Sequence, residues 1–252
     1  MALLATPVQL ADAEFGLASG TVALAQPSVM NRIYEKLSPK KLIFTHVCEV
    51  GVYIPETSNV LEFIRDGVRA TLVEADPEVA EKIRVTFAAN NVRVYPVAVW
   101  DTTGTLQLSK AASSTFATAL PSSPARENDR YHVREELTFE VPCVQFSEID
   151  DGTIDLLSVD IEGAEWYVLK HLRSRPKVLS LETHGKYYTN PYMPQISDWL
   201  HHHNYVLWYK DGSDSVYIAQ GLFAVSFLDK LETRQAELLI RWKKLKRIFK
   251  KK

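Results

Sequence analysis

Ile154-Asp-Leu-Leu-Ser-Val-Asp160-Ile-Glu162-Gly-Ala-Glu165-Trp-Tyr-Val-Leu169 changes its period halfway along. Residues 154–159 form a nearly unbroken apolar run, too short for a globular helix and preceded by the turn signal Asp151-Gly152. That pattern reads as a strand buried on both faces of a parallel sheet. From Ala164 the spacing becomes helical: Ala164, Val168 and Leu172 recur, with Lys170, His171 and Arg173 in the last turn. Asp160 and Glu162 therefore stand at the carboxyl end of a central strand, where open α/β sheets hold their ligands. Two acids there repel a phosphate. They suit a cation, a hydroxyl donor or a metal.

Upstream, residues 42–51 read as a first strand running into a turn, and Pro55-Glu-Thr-Ser58 offers caps for a helix over 59–66 that Gly67 ends. Residues 70–74 form a second strand, and Pro77 opens a helix to Asn90 with Val79, Ile83 and Phe87 on one face. A third strand spans 92–100, and residues 105–108 and 137–146 are also extended. Between them, residues 110–134 are rich in Ser, Thr, Ala and Pro and read as a structureless, lid-like insert. Downstream come a strand over 178–184, a helix over 196–203, and a hairpin of 205–209 with 216–219 about Asp211-Gly-Ser-Asp214. Strands alternating with helices imply an α/β fold: a doubly wound, mostly parallel seven-stranded sheet, Rossmann-like, with a terminal antiparallel hairpin and helical extensions.

The 252 residues fit one large domain with extensions: an amino-terminal helical segment over 1–40, which could cover the site's mouth, a main domain over 41–222, and a basic amphipathic helix over 223–252. The last twelve residues carry eight Lys and Arg and no acid, so a net charge of −2 leaves the remaining chain acidic. An acidic body excludes a general nucleic-acid surface. The basic helix can lie on an anionic membrane. Its alternatives are docking on its own domain or against a twin subunit in a homodimer. Cys48 and Cys143 each sit in an apolar run, as buried thiols of a reducing cytosol do. With no secretory pattern at the amino end and no spanning run, the expected location is cytoplasmic, at most peripheral to the inner face of a membrane.

The turn after the first strand decides the cofactor. A dinucleotide site needs Gly-x-Gly-x-x-Gly there. This chain has Glu49-Val-Gly51-Val-Tyr53-Ile-Pro55-Glu56, with one glycine and two acids. An acid at that point suits a cofactor bearing ammonium and sulfonium groups, as S-adenosylmethionine does. Glu74, about 25 residues after Glu49, is placed to accept hydrogen bonds from ribose hydroxyls. For Asp76, directly before Pro77, helix capping is the better reading.

These residues bring out a resemblance. Residues 154–165 resemble the Ile-Asp-Leu-Leu-Lys-Ile-Asp-Val-Glu-Gly-x-Glu run of the FkbM family of class I S-adenosylmethionine-dependent methyltransferases. Val73-Glu74-Ala75-Asp76-Pro77 is similar to its Phe-Glu-Pro-x-Pro, and Val97-Ala98-Val99-Trp100-Asp101-Thr-Thr-Gly104 to its Val-Ala-x-x-Asp-x-x-Gly. Ser113-Ser114-Thr115 falls where the family often has a serine cluster. The chain departs from the family's Asp-x-Gly-Ala-Asn-x-Gly at the first turn, where Tyr53 and Pro55 make it bulkier and stiffer. The resemblance implies that Glu49 and Gly51 hold the methionine end, Glu74 the ribose, and that Val97 and Ala98 border the adenine. Tyr53, Ser58 and Ala75 join the same cofactor site, and Asp160 and Glu162 face the transferred methyl.

Methyl transfer to a hydroxyl needs alignment and a group that takes the proton. Asp160, Glu162 and His184 are the catalytic candidates, with Glu182 beside them, all at strand ends. Such a cluster can also bind Mg²⁺ or Mn²⁺. The reading preferred on sequence is metal-independent O-methylation of a sugar, lipid-linked glycan or natural-product hydroxyl. A rival of another class is a non-catalytic binding or scaffolding module that retains the methyltransferase fold.

Overall fold

The computed structural model describes residues 31–111 and 114–250, for residues 247–250 the backbone alone. The segment 1–30 and Ser113 lie outside the described residues. Three strands run side by side in parallel: β1 (His46–Val50), β2 (Arg69–Val73) and β3 (Val92–Tyr95). On the other side of β1 lie β8 (Leu156–Val159) and β9 (Val178–Glu182), also parallel. The hairpin of β10 (Tyr205–Asp211) and β11 (Asp214–Ala219) closes that edge, with β11 antiparallel to β9. The order β10-β11-β9-β8-β1-β2-β3 reverses direction at the β1/β8 junction, so the ligand crevice opens there.

Alternation along the strands fills both faces. Val47, Leu72, Leu156 and Val178 pack beneath α1 (Arg32–Leu37), α2 (Leu61–Arg65) and α3 (Pro77–Thr86). Cys48, Leu157, Val159, Leu179 and Leu181 pack beneath α5 (Glu165–Lys170) and α6 (Met193–His202). Both cysteines are buried and unpaired. Asp76 caps α3, accepting the N–H groups of Glu78 and Val79, with Pro77 at the first helical position. The α1 helix joins the core through Ile33 and Leu37 and is tied to the hairpin and to α7 (Phe227–Lys250) by Arg32–Asp211 and Lys36–Asp229 ion pairs. It sits away from the crevice.

Two expectations change. The strand expected over 92–100 is broken at Pro96, which has no N–H to donate to a ladder. The chain then leaves the large sheet, and β4 (Ala98–Val99) enters a second, four-stranded one with β5 (Gly104–Ala111), β6 (Ser114–Ala117) and β7 (Thr138–Val144), in the order β4-β7-β5-β6. The insert over 110–134 is not structureless among its described residues. β5 runs through Ala111, β6 folds back on it, and α4 (Pro124–Asn128) follows with Ser123 as its cap. Arg126 fixes the intervening loop by donating to the carbonyls of Leu120 and Thr118 at 2.7 and 3.0 Å. This second sheet walls the crevice.

Candidate active site

The crevice, open at its mouth, lies between the carboxyl ends of β1, β2 and β8 and the second sheet and spans about 970 Å³ of atom-free space with the solvent at that mouth included. Its floor depends on Gly51, at φ +89°, a conformation that favours glycine. Gly51 N–H donates to Val73 O and Asp160 N–H to Val50 O, both at 2.9 Å, so three strand ends are laced together. A Cβ at position 51 would lie 1.8 Å from the Asp160 carbonyl oxygen.

Gly51, Tyr53, Glu74, Ala75, Val97, Ala98, Asp160 and Glu162 all border this one crevice, joined by Trp100 and Phe116. Glu74 is buried at the tip of β2 and accepts from the Asp76 N–H at 2.8 Å. Burial raises its pKa, against the lowering pull of backbone N–H groups. Asp76 pairs with Lys110 at 2.6 Å as well as capping α3.

Three expected site residues lie elsewhere. Glu49 shares the sheet face of Val47, Glu74 and Asp160 but sits one register step below the strand tips and is not among the crevice's lining residues. Its carboxylate accepts from the Ser58 hydroxyl and from the Asn59 N–H at 3.0 Å. Glu49 and Ser58 thus anchor the loop that follows Gly51 rather than line the crevice. His184 is separated because the chain after Glu182 turns toward the hairpin, Thr183 and His184 both donating to Ser213 O. It lines a second cavity with Lys186, Lys243 and Lys246, and burial with Lys210 and Lys244 pushes its pKa down to about 4.

Beside the crevice the acids crowd. Glu162 adopts φ +57°, followed by Gly163 at +115°, a turn that swings its side chain back to the β8 tip. One of its carboxyl oxygens, Oε2, is buried without a partner. Burial, then Asp160 and Glu165, push its pKa up to about 8. Glu165 is fully buried; its Oε1 accepts the N–H groups of Ile161 and Gly163 at 3.0 and 3.2 Å, and its Oε2 accepts from Asn190. Glu182 hydrogen-bonds to Asp160, and its burial raises its pKa well above the ordinary range.

Sequence reasoning misses Glu165 as a site residue although a signal exists. Glu165, Val168, Leu169 and Leu172 fall at i, i+3, i+4 and i+7, so the apolar period itself puts this acid on the buried side. Asp214 has no such signal; it reaches the cluster through its register partner Glu182 across β9 and β11.

The raised groups set a stability profile. Glu49, Glu162 and Glu165 stand at about 7, 8 and 7, above their unfolded values, so the folded chain binds more protons across that window. Their stabilisation is present below about pH 4.5 and lost as pH rises through 7 to 8. His184 acts oppositely, but only below about pH 6.5. With divalent ions chelated, the melting temperature should fall steadily from pH 6.5 to 8.5 in differential scanning calorimetry. A flat profile would show that these carboxyls are ionised in the fold.

Comparison with known proteins adds the family. No curated protein matches the chain. Among solved structures, the methyltransferase domain of bacterial CtHen1-CN aligns with 9% identity, 74% of this chain and 94% of the other, at a TM-score of 0.42. Precorrin-6y C5,15-methyltransferase from Geobacter metallireducens GS-15 aligns with 16% identity, 77% and 90% coverage, and a TM-score of 0.36. The Methyltransferase FkbM domain profile matches residues 49–207, more than half of the chain, from the first acid of β1 to the middle of β10. With the strand order and the crevice of acids at its switch point, this protein belongs to the FkbM methyltransferase domain family.

Proposed function

We propose that the chain is an S-adenosylmethionine-dependent O-methyltransferase acting on a hydroxyl of a sugar, glycan or natural product. The observation that carries the reading is the sharing of one crevice by Glu74 at the β2 tip and Asp160 and Glu162 at the β8 tip. The residues fit such a donor: carboxylates for its cationic end, Glu74 for the ribose, and Val97 and Ala98 as an apolar border. The orphaned Glu162 Oε2 still seeks a hydrogen-bond donor. S-adenosylmethionine, when bound, supplies a methyl group on a sulfonium that departs as a neutral thioether. Asp160 and Glu162 orient the acceptor hydroxyl; the donor's positive charge favours the ionised form of these raised carboxyls, and the ionised one takes the proton as the acceptor oxygen forms the new C–O bond. Glu74→Gln should weaken S-adenosylhomocysteine binding roughly tenfold in calorimetric titration, by about 1.4 kcal/mol, with the fold intact. Unchanged affinity would remove Glu74 from the site.

A lipid-linked acceptor is supported by α7. Phe227, Leu231, Leu238, Trp242 and Leu245 make one exposed stripe at helical spacing, flanked by Arg241, Lys243 and Lys246. Thr233 anchors the opposite side by donating to Trp208 O at 3.2 Å. Among the described residues no helix is long and apolar enough to cross a membrane, so the contact would be peripheral. The lysine-lined second cavity beside His184 suits an acceptor phosphate. Vesicles containing phosphatidylglycerol should retain the protein and lose it when Leu238, Trp242 and Leu245 are replaced by serine. Equal sedimentation of the two proteins, or self-association through the same stripe, would contradict this.

A further inference from the structure

We infer that Asp160, Glu165 and Glu182 form a site for a hard divalent cation, Mg²⁺ or Mn²⁺, adjoining the methyl-donor crevice. The cation's use in catalysis rests on the proposed function; its binding does not. One carboxylate oxygen from each residue lies within 4.8 Å of the other two. Three oxygens held at about 2.0–2.4 Å around one octahedral ion lie roughly 2.8 to 4.8 Å apart, within that limit. The three residues come from the end of β8, the start of α5 and the end of β9, elements fixed by the core rather than by a loose loop.

Glu165 is oriented as ligating carboxylates are. Three N–H donors, from Ile161, Gly163 and Asn190, hold it while leaving one lone pair, on Oε2, free. Charge balance points the same way. The side chains that act electrostatically on Asp160, Glu162, Glu165, Glu182 and Asp214 are acids, and none of the five pairs with a lysine or arginine among the described residues. Such a buried cluster is neutralised by the protons its raised carboxyls retain or by a bound cation that displaces them. An independent observation is Tyr188. Its ring is fully buried, its hydroxyl has no partner, and that hydroxyl lies at the turn between Glu162 and Glu165, 3.0 Å from where a Cβ on Gly163 would stand. Glu182 Oε2 and Asp214 Oδ1 are likewise buried and unpartnered. A cation with a bound water would satisfy these atoms at once. Because Asp160 also borders the crevice, the ion would stand where it can bind the acceptor hydroxyl and lower its pKa.

Titration of the full chain with Mn²⁺, followed by the loss of the free-ion electron paramagnetic resonance signal, tests the site. The expected result is one saturable Mn²⁺ per chain, displaced by Mg²⁺, with affinity weakened roughly ten- to a hundredfold in Glu182→Gln. Glu56→Gln, an exposed acid outside the cluster, should titrate as wild type. If Glu182→Gln fails to fold, Asp160→Asn takes its place with the same expected loss. Absence of saturable binding below about 1 mM, or undiminished affinity in the cluster variant, overturns the inference. S-adenosylhomocysteine titrated into the same samples separates the readings. Its binding without Mn²⁺ uptake removes only the cation site, and Mn²⁺ uptake without it removes only the donor assignment.

Discussion

Alanine at position 51 should cost the protein more than any other single methyl group. The added Cβ would meet the Asp160 backbone oxygen at 1.8 Å and Ile161 Cγ2 at 3.1 Å. Neither a strand-end carbonyl nor Gly51 itself, held through its N–H to Val73, has room to yield without parting β1 from β8. The residue's φ of +89° adds backbone strain for any side chain. Overpacking of this severity exceeds the usual ~1–3 kcal/mol and falls in the ~4–5 kcal/mol class. Denaturant unfolding of Gly51→Ala should therefore show a loss of at least ~4 kcal/mol, or little folded protein at all. Wild-type stability would mean that the strand ends are not packed as described.

Asp160→Asn should separate stability from turnover. The Asp160 carboxyl is tied to Glu182 and presses electrostatically on Glu162 and Glu165, raising the pKa of each. Removing its charge relieves that crowding, so the variant should melt no lower than wild type at pH 8. Turnover should nonetheless fall by ~10²–10⁴-fold if, as proposed, this group aligns the acceptor and takes its proton. S-adenosylhomocysteine affinity should change far less, with Glu74, Val97 and Ala98 still in place. Full turnover in the variant would dismiss Asp160 from catalysis. Collapse of donor binding alongside turnover would make it a cofactor ligand and nothing more. The trade follows a general pattern in which strained, like-charged sites are kept for activity at the expense of stability.

The large sheet is legible because its strands are buried on both faces, leaving runs such as 154–159 that no surface element would show. The hairpin is legible for a different reason: Gly212-Ser213 is a two-residue turn with Gly212 at φ +54°. Of the second sheet, the extended stretches at 105–108 and 137–146 are legible from their alternation, but their pairing into a separate sheet with β4 and β6 is not, because only the tertiary fold brings them together. Composition reads 110–134 as loop, yet the one serine buried among its described residues, Ser123, is satisfied locally by capping α4. Within the site, the motif's acids are legible at the strand tips. That Glu49 is taken up by Ser58 and Asn59 depends on the loop after Gly51 folding back on β1, which no local pattern announces. The meeting of Glu182 with Asp214 depends on strand pairing across some thirty residues of intervening chain, beyond any local pattern.

The central claim is that a positively charged methyl donor occupies the crevice at the β1/β8 switch point with its ribose on Glu74. A crystal structure of the chain with S-adenosylhomocysteine tests it most directly. The account predicts both ribose hydroxyls within hydrogen-bond distance of the Glu74 carboxylate, the adenine against Val97 and Ala98, and the sulfur facing Asp160 and Glu162. Electron density for the ligand elsewhere, or Glu74 turned away from a ligand bound in the crevice, would contradict it.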